Sequence, residues 1–426
     1  MPTNPGMMVQ DLGETAPTVS PFRGRSEGRK GHTMTRNHWA GLLCAAALGL
    51  AGTAVVTPAA ALDLNGIKVT PSIGYKGEYD DNIFRTQFNK RSDYVNHIMP
   101  SITLEATPGR HEFKAGYQAD ILRYSSYNNM DTERHAANVM GVMRFNRLEL
   151  RASEEFRRTD DFPTSEITQR IRRNENDLSA GFDLDMARMW GIGFDAGWNH
   201  YNYLESAFDF QDHNAYTYAG NLYYRLTAKT RVFGEYAFVD EYFPSDETRR
   251  NTRHRGMVGV RGDITERFNL TGKVGYEHLN FHDSSRQDLD NAIGSIEATY
   301  KPVDRMQISL MLARKVDSST FGTNAQYAAY NSILGVTYAL TSKITLIPRG
   351  FFGVDNYKEA AVNTSKDGLP AEKRVDYLYG GGLGLRYQVM KWLRLDANYD
   401  FSRRDSKFNN FDYDDNIVNF SVTFSM

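Results

Sequence analysis

The chain has 426 residues, a formal net charge of −2 and a mean hydropathy of −0.54. A charge so balanced excludes a partner chosen by strong electrostatic attraction, such as nucleic acid, and a chain so polar excludes a bundle of membrane-crossing helices. Its 25 Tyr and 24 Phe nevertheless need an apolar destination, either a large core or a lipid interface.

In chain order, residues 1–33 are polar and unpatterned. From Met34 the chain supplies a positive Arg36, an apolar run from Ala40 to Val56, and the small-residue site Ala59-Ala60-Ala61. These are the three parts of a secretory signal peptide. We therefore expect 34–61 to be cleaved, 1–33 to be a mis-assigned start or a disordered extension, and 62–426 to be the working domain. Cys44, the sole cysteine, lies inside the apolar run, so 62–426 contains no disulfide and no cysteine metal site. Bulky Leu43 before it argues against a lipid-attachment site.

After Gly66 the pattern has a period of two, as expected for strands with two different faces. Tyr75 and Tyr79 fall on one face; Lys68, Lys76, Glu78 and Asp80 fall on the other, before the polar turn Asp80-Asp81-Asn82. Phe113, Ala115, Tyr117, Ala119 and Ile121 oppose Glu112, Lys114, Gln118 and Asp120. Leu270, Val274 and Tyr276 oppose Lys273 and Glu277; Leu393, Leu395, Ala397, Tyr399 and Phe401 oppose Arg394, Asp396 and Asp400. Tight turns are expected near 107–109, 146–147, 187–189, 228–229, 265–267, 302–304, 341–342 and 390–391, roughly 40 residues apart. Between them lie longer polar loops, among them 160–176, 204–214, 243–253, 317–325 and 357–374.

Short connections on one edge and long ones on the other make an up-and-down, all-β transmembrane barrel with periplasmic turns and external loops. Nine loops and eight turns give about 18 strands (16–20), an even number that places both termini on the periplasmic side and the protein in a Gram-negative outer membrane. A soluble propeller repeats at a similar spacing, but its four-stranded blades need three turns per repeat. The end of the chain agrees with the barrel. Val418, Phe420, Val422, Phe424 and Met426 are in phase, as in strands read by the barrel-assembly machinery.

A barrel of this size leaves an aqueous channel. Its inward positions carry both signs: Lys76 with Glu78, Glu112 and Asp120 with Lys114, Arg231 with Glu235, Lys273 with Glu277, and Arg394 with Asp396 and Asp400. Such walls suit hydrated sugars or ions. The third loop is bracketed by Arg157, Arg158, Arg170, Arg172 and Arg173, with Asp160, Asp161 and Glu166 between them. If it folds inward, its guanidinium forks present a constriction to an acidic glycan or small anion; if not, they pair with lipopolysaccharide phosphates or with the loop's own acids.

No cofactor and no metal site is expected. Asp80-Asp81-Asn82 and Asp412 to Asn416 offer oxygen ligands but read as turns, lacking the spacing of a calcium loop. His278 and His282 sit about 13 Å apart along a strand, too far to share a metal. An enzymatic barrel would need a nucleophile beside a rim histidine. His200, His254, His278 and His282 lie near strand ends, and Ser284-Ser285 follow His282 closely, but no Gly-x-Ser-x-Gly occurs, and no enzyme is expected.

The segment YDDNIFRT at Tyr79 to Thr86, followed by Ser92-Asp93-Tyr94-Val95 and the strand Met99 to Glu105, resembles the opening of the putative β-barrel porin 2 family. A fainter echo, YDDNIV, begins at Tyr413. The family-like layout runs from Ile67 to Met426. The resemblance implies an outer-membrane barrel, in a family often associated with export of exopolysaccharide, capsule or adhesive glycan. It supplies no set of functional residues. The leading expectation is passage of a glycan handed over by a periplasmic export partner, in a barrel that also contacts outer-membrane lipid and lipopolysaccharide. A general diffusion porin is the main rival, and a non-transporting surface barrel comes third.

Overall fold

In the computed structural model the described residues are 62–426, without 165, 168, 320, 322, 323 and 325. The expectations for 1–33 and 34–61 lie outside them. After a short arm, β1 (Leu62–Leu64), come β2 (Ile67–Asp80), β3 (Asp93–Ala106), β4 (Glu112–Tyr124), β5 (Thr132–Arg144), β6 (Leu148–Thr159) and β7 (Arg173–Asp185). There follow β8 (Trp190–Tyr203), β9 (His213–Arg225), β10 (Thr230–Tyr242), β11 (Asn251–Thr265), β12 (Phe268–Phe281) and β13 (Leu289–Val303). The last six are β14 (Met306–Ser318), β15 (Gln326–Ala339), β16 (Ile344–Val362), β17 (Ala371–Met390), β18 (Leu393–Ser406) and β19 (Tyr413–Ser425).

Each strand pairs antiparallel with the next, and β19 pairs with β2 from Ile417↔Asp80 to Ser425↔Ser72, which closes the sheet. The wall is therefore an 18-stranded antiparallel barrel, as the alternation predicts. The arm β1 folds back on β2 through Asn65-Gly66, whose φ values of 55° and 88° suit the Asn-Gly hairpin turn. The eight tight turns fall where expected. The loops are shorter than expected. β7 starts at Arg173, and β16 and β17 run 19 and 20 residues, leaving only 363–370 as their loop. Where a strand projects past the lipid both faces meet water, so the apolar alternation fades while the hydrogen-bond ladder continues.

The barrel is inside-out. Tyr75, Val139, Val258, Val274, Leu334 and Phe420 are exposed, whereas Arg173, Glu175, Glu277, Arg374 and Asp376 are buried. At the turn edge the outer face carries paired aromatics, Trp392 stacked on Phe424 and Trp190 edge-on to Tyr224. Nearer the loop edge, rings hydrogen-bond to a polar neighbour on the next strand. Tyr75 Oη donates to Asn96 Oδ1 (2.6 Å), Tyr399 Oη to Asn416 Oδ1 (2.8 Å) and Trp198 Nε1 to Asn214 Oδ1 (3.1 Å). Tyr117 pairs with His135 (2.9 Å) and Tyr236 with His254 (2.7 Å). Aromatic bodies with polar tips are the side chains suited to the two membrane interfaces.

The two Asp-Asp-Asn stretches meet at the closing seam. Asn416 donates its backbone N–H to Asp81 Oδ1 and its Nδ2 to Asp81 Oδ2, both 2.8 Å. Fully buried Asn82 donates Nδ2 to the carbonyls of Asp414 and Thr86 (2.8 Å each) and accepts from Thr86 N (3.0 Å). Arg85 Nε donates to Asp415 Oδ2 at 3.2 Å. Carboxylate oxygens of Asp80, Asp81 and Asp415 thereby come within 4.8 Å of one another. Asn82→Ala strands the partners of three hydrogen bonds made by a fully buried side chain, so we expect a loss of about 2–3 kcal/mol. Urea unfolding in detergent reads this directly, and an unchanged midpoint would contradict the lock.

One hairpin leaves the wall. Pairing between β13 and β14 runs only from Val303↔Met306 to Gly294↔Arg314. Beyond it, Leu289–Ile293 pair with β12 alone and Lys315–Ser318 with β15 alone. Val316, Asp317, Tyr327, Ala328 and Ala329 are all buried, so both faces of this hairpin tip are covered. Arg253, on the inner face of β11, donates to the Val316 carbonyl (3.1 Å) and Ser318 Oγ (3.3 Å). The tip of β14–β15 thus turns into the barrel mouth.

Candidate functional site: the charged lumen and its mouth

The inner wall is a mesh of ion pairs made by alternate residues. Lys76 Nζ donates to Glu78 (2.8 Å), and His97 Nδ1 lies 2.9 Å from Asp120. Lys114 sits 3.3 Å from Glu112 and 3.7 Å from Glu105. Arg231 pairs with Asp183 (2.9 Å), Lys273 with Glu235 (2.9 Å) and Arg255 with Glu277 (2.5 Å). Arg394 and Arg386 share Asp396 at 2.8 and 2.6 Å. Asp400 receives Arg349 in a two-pronged contact of 2.8 and 2.5 Å. Each of the twelve charged positions named from the sequence takes part in one of these pairs.

Arg349 on β16 meets Asp400 on β18 across β17, which requires a bare inner surface on the strand between them. Gly382 supplies it: a Cβ there would stand 2.1 Å from Asp400 Oδ1. The same run, Gly380-Gly381-Gly382, places Gly380 beneath Phe351, which packs with Ile333 and Leu378 in a small apolar cluster on the lumen side. The sequence reading missed Arg349, Arg386, Arg134, His97 and Arg253. Their inward parity was available, but their partners lie on other strands.

Loop 3 (160–172) leaves the rim at β6 and reaches across the mouth. Its Glu166 accepts a hydrogen bond from Ser319 Oγ (2.5 Å), beyond the tip of β14 on the far side of the barrel. The five arginines at its ends separate by parity. Arg157 donates to Glu175, Nε at 3.1 Å, and Arg173 Nε donates to the same carboxylate at 2.6 Å. Arg173 also pairs with Asp161 (2.5 Å), and Arg134 with Asp160 (2.5 Å). Arg170 lies over the Phe162 ring at 5.0 Å and donates to the Ile83 carbonyl (3.4 Å). Arg85 covers Phe162 at 4.7 Å, tying loop 1 (81–92) to loop 3. Arg158, by contrast, stands opposite His135 on the outer face, and both Arg158 and Arg172 are exposed.

The loop's guanidinium groups are thus braced by its own acids and an aromatic ring. Burial alone would raise the Asp161 carboxyl, but Arg173, then Arg134 and Arg157, hold it below the usual carboxylate range. A depressed folded pKa gives stability that is present above the unfolded value of about 3.9 and lost as pH falls through the folded one. Two opposite shifts of selectivity follow. Arg173→Ala leaves Asp161 and Glu175 uncompensated and moves the reversal potential in a KCl gradient toward cations. Acidification of the wild type through the lowered Asp161 pKa protonates that carboxyl, releases Arg173 and moves the potential toward anions. Identical potentials in all three conditions would remove these groups from the ion path.

Between these elements lies a cavity of about 240 Å³, bounded by inner-face residues of β2 to β6 and β16 to β19, with Arg85 and Arg170 at its loop side. Behind loop 7 (319–325) the mouth is sealed by a second cluster. Arg374, fully buried, pairs with Asp376 and lies 3.7 Å from the Phe411 ring centroid, 4.6 Å from that of Phe321 and 5.0 Å from that of Tyr357. The rim histidines are held in the outer girdle: His200 by Asn214, His254 by Tyr236 and His278 by Asp290. Ser285 Oγ donates to Asp283.

No curated protein matches the chain. Among solved structures, it is similar to OpdK of Pseudomonas aeruginosa, determined with vanillate: 12% identity, 84% of this chain and 99% of that one covered, TM-score 0.47. It is also similar to OccK2 (OpdF) of the same organism, in complex with glucuronate: 14% identity, 85% and 99% covered, TM-score 0.45. For the siderophore receptor PirA, again from Pseudomonas aeruginosa, the values are 10% identity, 84% and 80% covered, and TM-score 0.40. Residues 67–426 match the family model described as putative beta-barrel porin 2. A closed 18-stranded wall with a lipid-facing exterior and a charged lumen is an outer-membrane channel of the Gram-negative type, and the chain belongs to the putative beta-barrel porin 2 family.

Proposed function

We propose that this channel passes a hydrated glycan across the outer membrane, an exopolysaccharide delivered by a periplasmic export partner. The observation that carries the reading is the lumen wall, where inward cations are matched by carboxylates of the same wall. Such a surface offers dense hydrogen-bond donors and acceptors with little net field. A polyhydroxylated chain exchanges its water for these groups at small cost, whereas tight capture of a small ion needs uncompensated charge. Loop 3 and the inward hairpin then act as the restriction that a partner or the emerging polymer displaces. The strand Val418 to Met426 is, on this reading, also the segment presented to the assembly machinery.

A diffusion porin for small solutes is the second reading, favoured by the compact cavity of about 240 Å³. Single-channel recording of the refolded chain, with neutral and acidic oligosaccharides titrated in, separates the two. Block by both sugars at similar concentrations supports the glycan path. A steady conductance indifferent to either sugar overturns it in favour of the porin.

A further inference from the structure

We infer that the outer wall at the β13–β14 split is a binding site for lipid A, with its acyl chains in an apolar groove and a phosphate on Arg314. Three independent observations coincide there. First, the β13–β14 ladder stops at Gly294↔Arg314, so the wall parts above this level. Second, a groove of about 1230 Å³ lies on the lipid-facing side at the same level. Val258, Val274, Ile296, Leu312, Tyr330 and Phe352 contribute its apolar lining. Third, an arginine stands in that groove. Arg314 shares the outward face of β14 with exposed Leu312; its Nε donates to Tyr330 Oη (3.1 Å), and its Nη1 is buried with no hydrogen-bond partner.

A guanidinium facing lipid needs an anion, because hydrocarbon cannot solvate it. Across the ladder stands Gly294, which has no side chain to offer. Tyr330 takes one of the five guanidinium donors with its hydroxyl and faces the group with its ring, 5.3 Å from Cζ to the ring centroid, contacts that leave the positive charge without a counter-ion. The missing partner must therefore come from the membrane and carry both a negative head and long apolar chains. Arg314 is four residues from the external end of β14 at Ser318, which places it in the outer half of the wall. The anionic lipid of the outer leaflet is lipopolysaccharide, and its lipid A phosphates and acyl chains fit the two halves of the site. The inference does not depend on what the lumen carries.

The test uses full-length protein extracted from outer membranes in mild detergent, with bound lipid counted by native mass spectrometry. Wild type should retain lipid A, and Arg314→Leu, which keeps the groove apolar, should retain at least tenfold less. Ile296→Trp should reduce retention by filling the groove while leaving Arg314 in place. After delipidation, bisphosphorylated lipid A should rebind, whereas dephosphorylated lipid A should not. Heat-modifiable migration confirms that each variant is a folded barrel. Equal retention by Arg314→Leu would overturn the site, as would rebinding of phosphatidylglycerol in preference to lipid A. A lipid-free dimer whose contact is broken by Ile296→Trp would overturn it too, assigning the groove to a second copy of the chain.

Discussion

Replacing residues 316–328 by Asn-Gly should raise single-channel conductance severalfold without unfolding the barrel. Lys315 and Ala329 are paired across the hairpin, so a two-residue turn can close the shortened ladder. The excised segment holds the groups that narrow the mouth: the Val316 carbonyl and Ser318 on Arg253, Ser319 on Glu166, and Phe321 against Tyr357, Phe408 and Phe411. The 18-strand closure lies elsewhere and is untouched. Planar-bilayer recording is the measurement. An unchanged conductance would move the restriction to the root of loop 3, where Arg157 and Arg173 grip Glu175.

The second large effect is expected at Arg374. Arg374→Ala should destabilise the loop edge by about 3–5 kcal/mol, the usual cost of stranding one partner of a buried ion pair. Both side chains of the Arg374–Asp376 pair are completely buried, and among the described residues Asp376 would keep only the hydroxyl of Ser406. The arginine is also the shared neighbour of the Phe321, Tyr357 and Phe411 rings, so its loss leaves loop 7 and loop 9 (407–412) joined, among the described residues, only through the edge contacts of Phe321 with Phe408 and Phe411. Thermal unfolding of the refolded variant reads the stability, and faster proteolysis within 407–412 reads the local release. Replacing Arg374 by Met together with Asp376 by Leu should recover most of the loss, because an apolar pair leaves no charge unpaired.

Architecture was legible to the extent that it is written with a period of two. Val274 against Lys273, or Tyr399 against Asp400, states the two faces of a strand within a few residues, and Pro108-Gly109 or Ala228-Lys229 states a turn. Strand number and inward parity follow from such local signals. The site was less legible, because its contacts are between strands. Nothing near Arg349 announces Asp400, 51 residues away beyond a glycine strand. Similarly, Asp80-Asp81-Asn82 and Asp414-Asp415-Asn416 read as two separate turns, although the repeated triplet was the available sign that they meet. The inward turn of residues 316–328 left no mark at all. Val316, Ser318, Ala328 and Tyr330 keep the alternation of wall strands, and only the absence of a cross-strand partner distinguishes the segment.

The seam lock has a bearing on how the barrel is made. Asn82 and the Asp414 carbonyl are 332 residues apart in the chain, so forming their bond closes a loop of nearly maximal contact order, and it can form only after the strands between them are in place. A chain that stalls with a strand missing, or registers one strand off by two residues, brings the two triplets to different heights and leaves Asn82 unpaired. The interlock therefore acts as a proofreading step. It adds its stability only to barrels completed in the correct register, and incompletely threaded intermediates stay loose enough to re-sort.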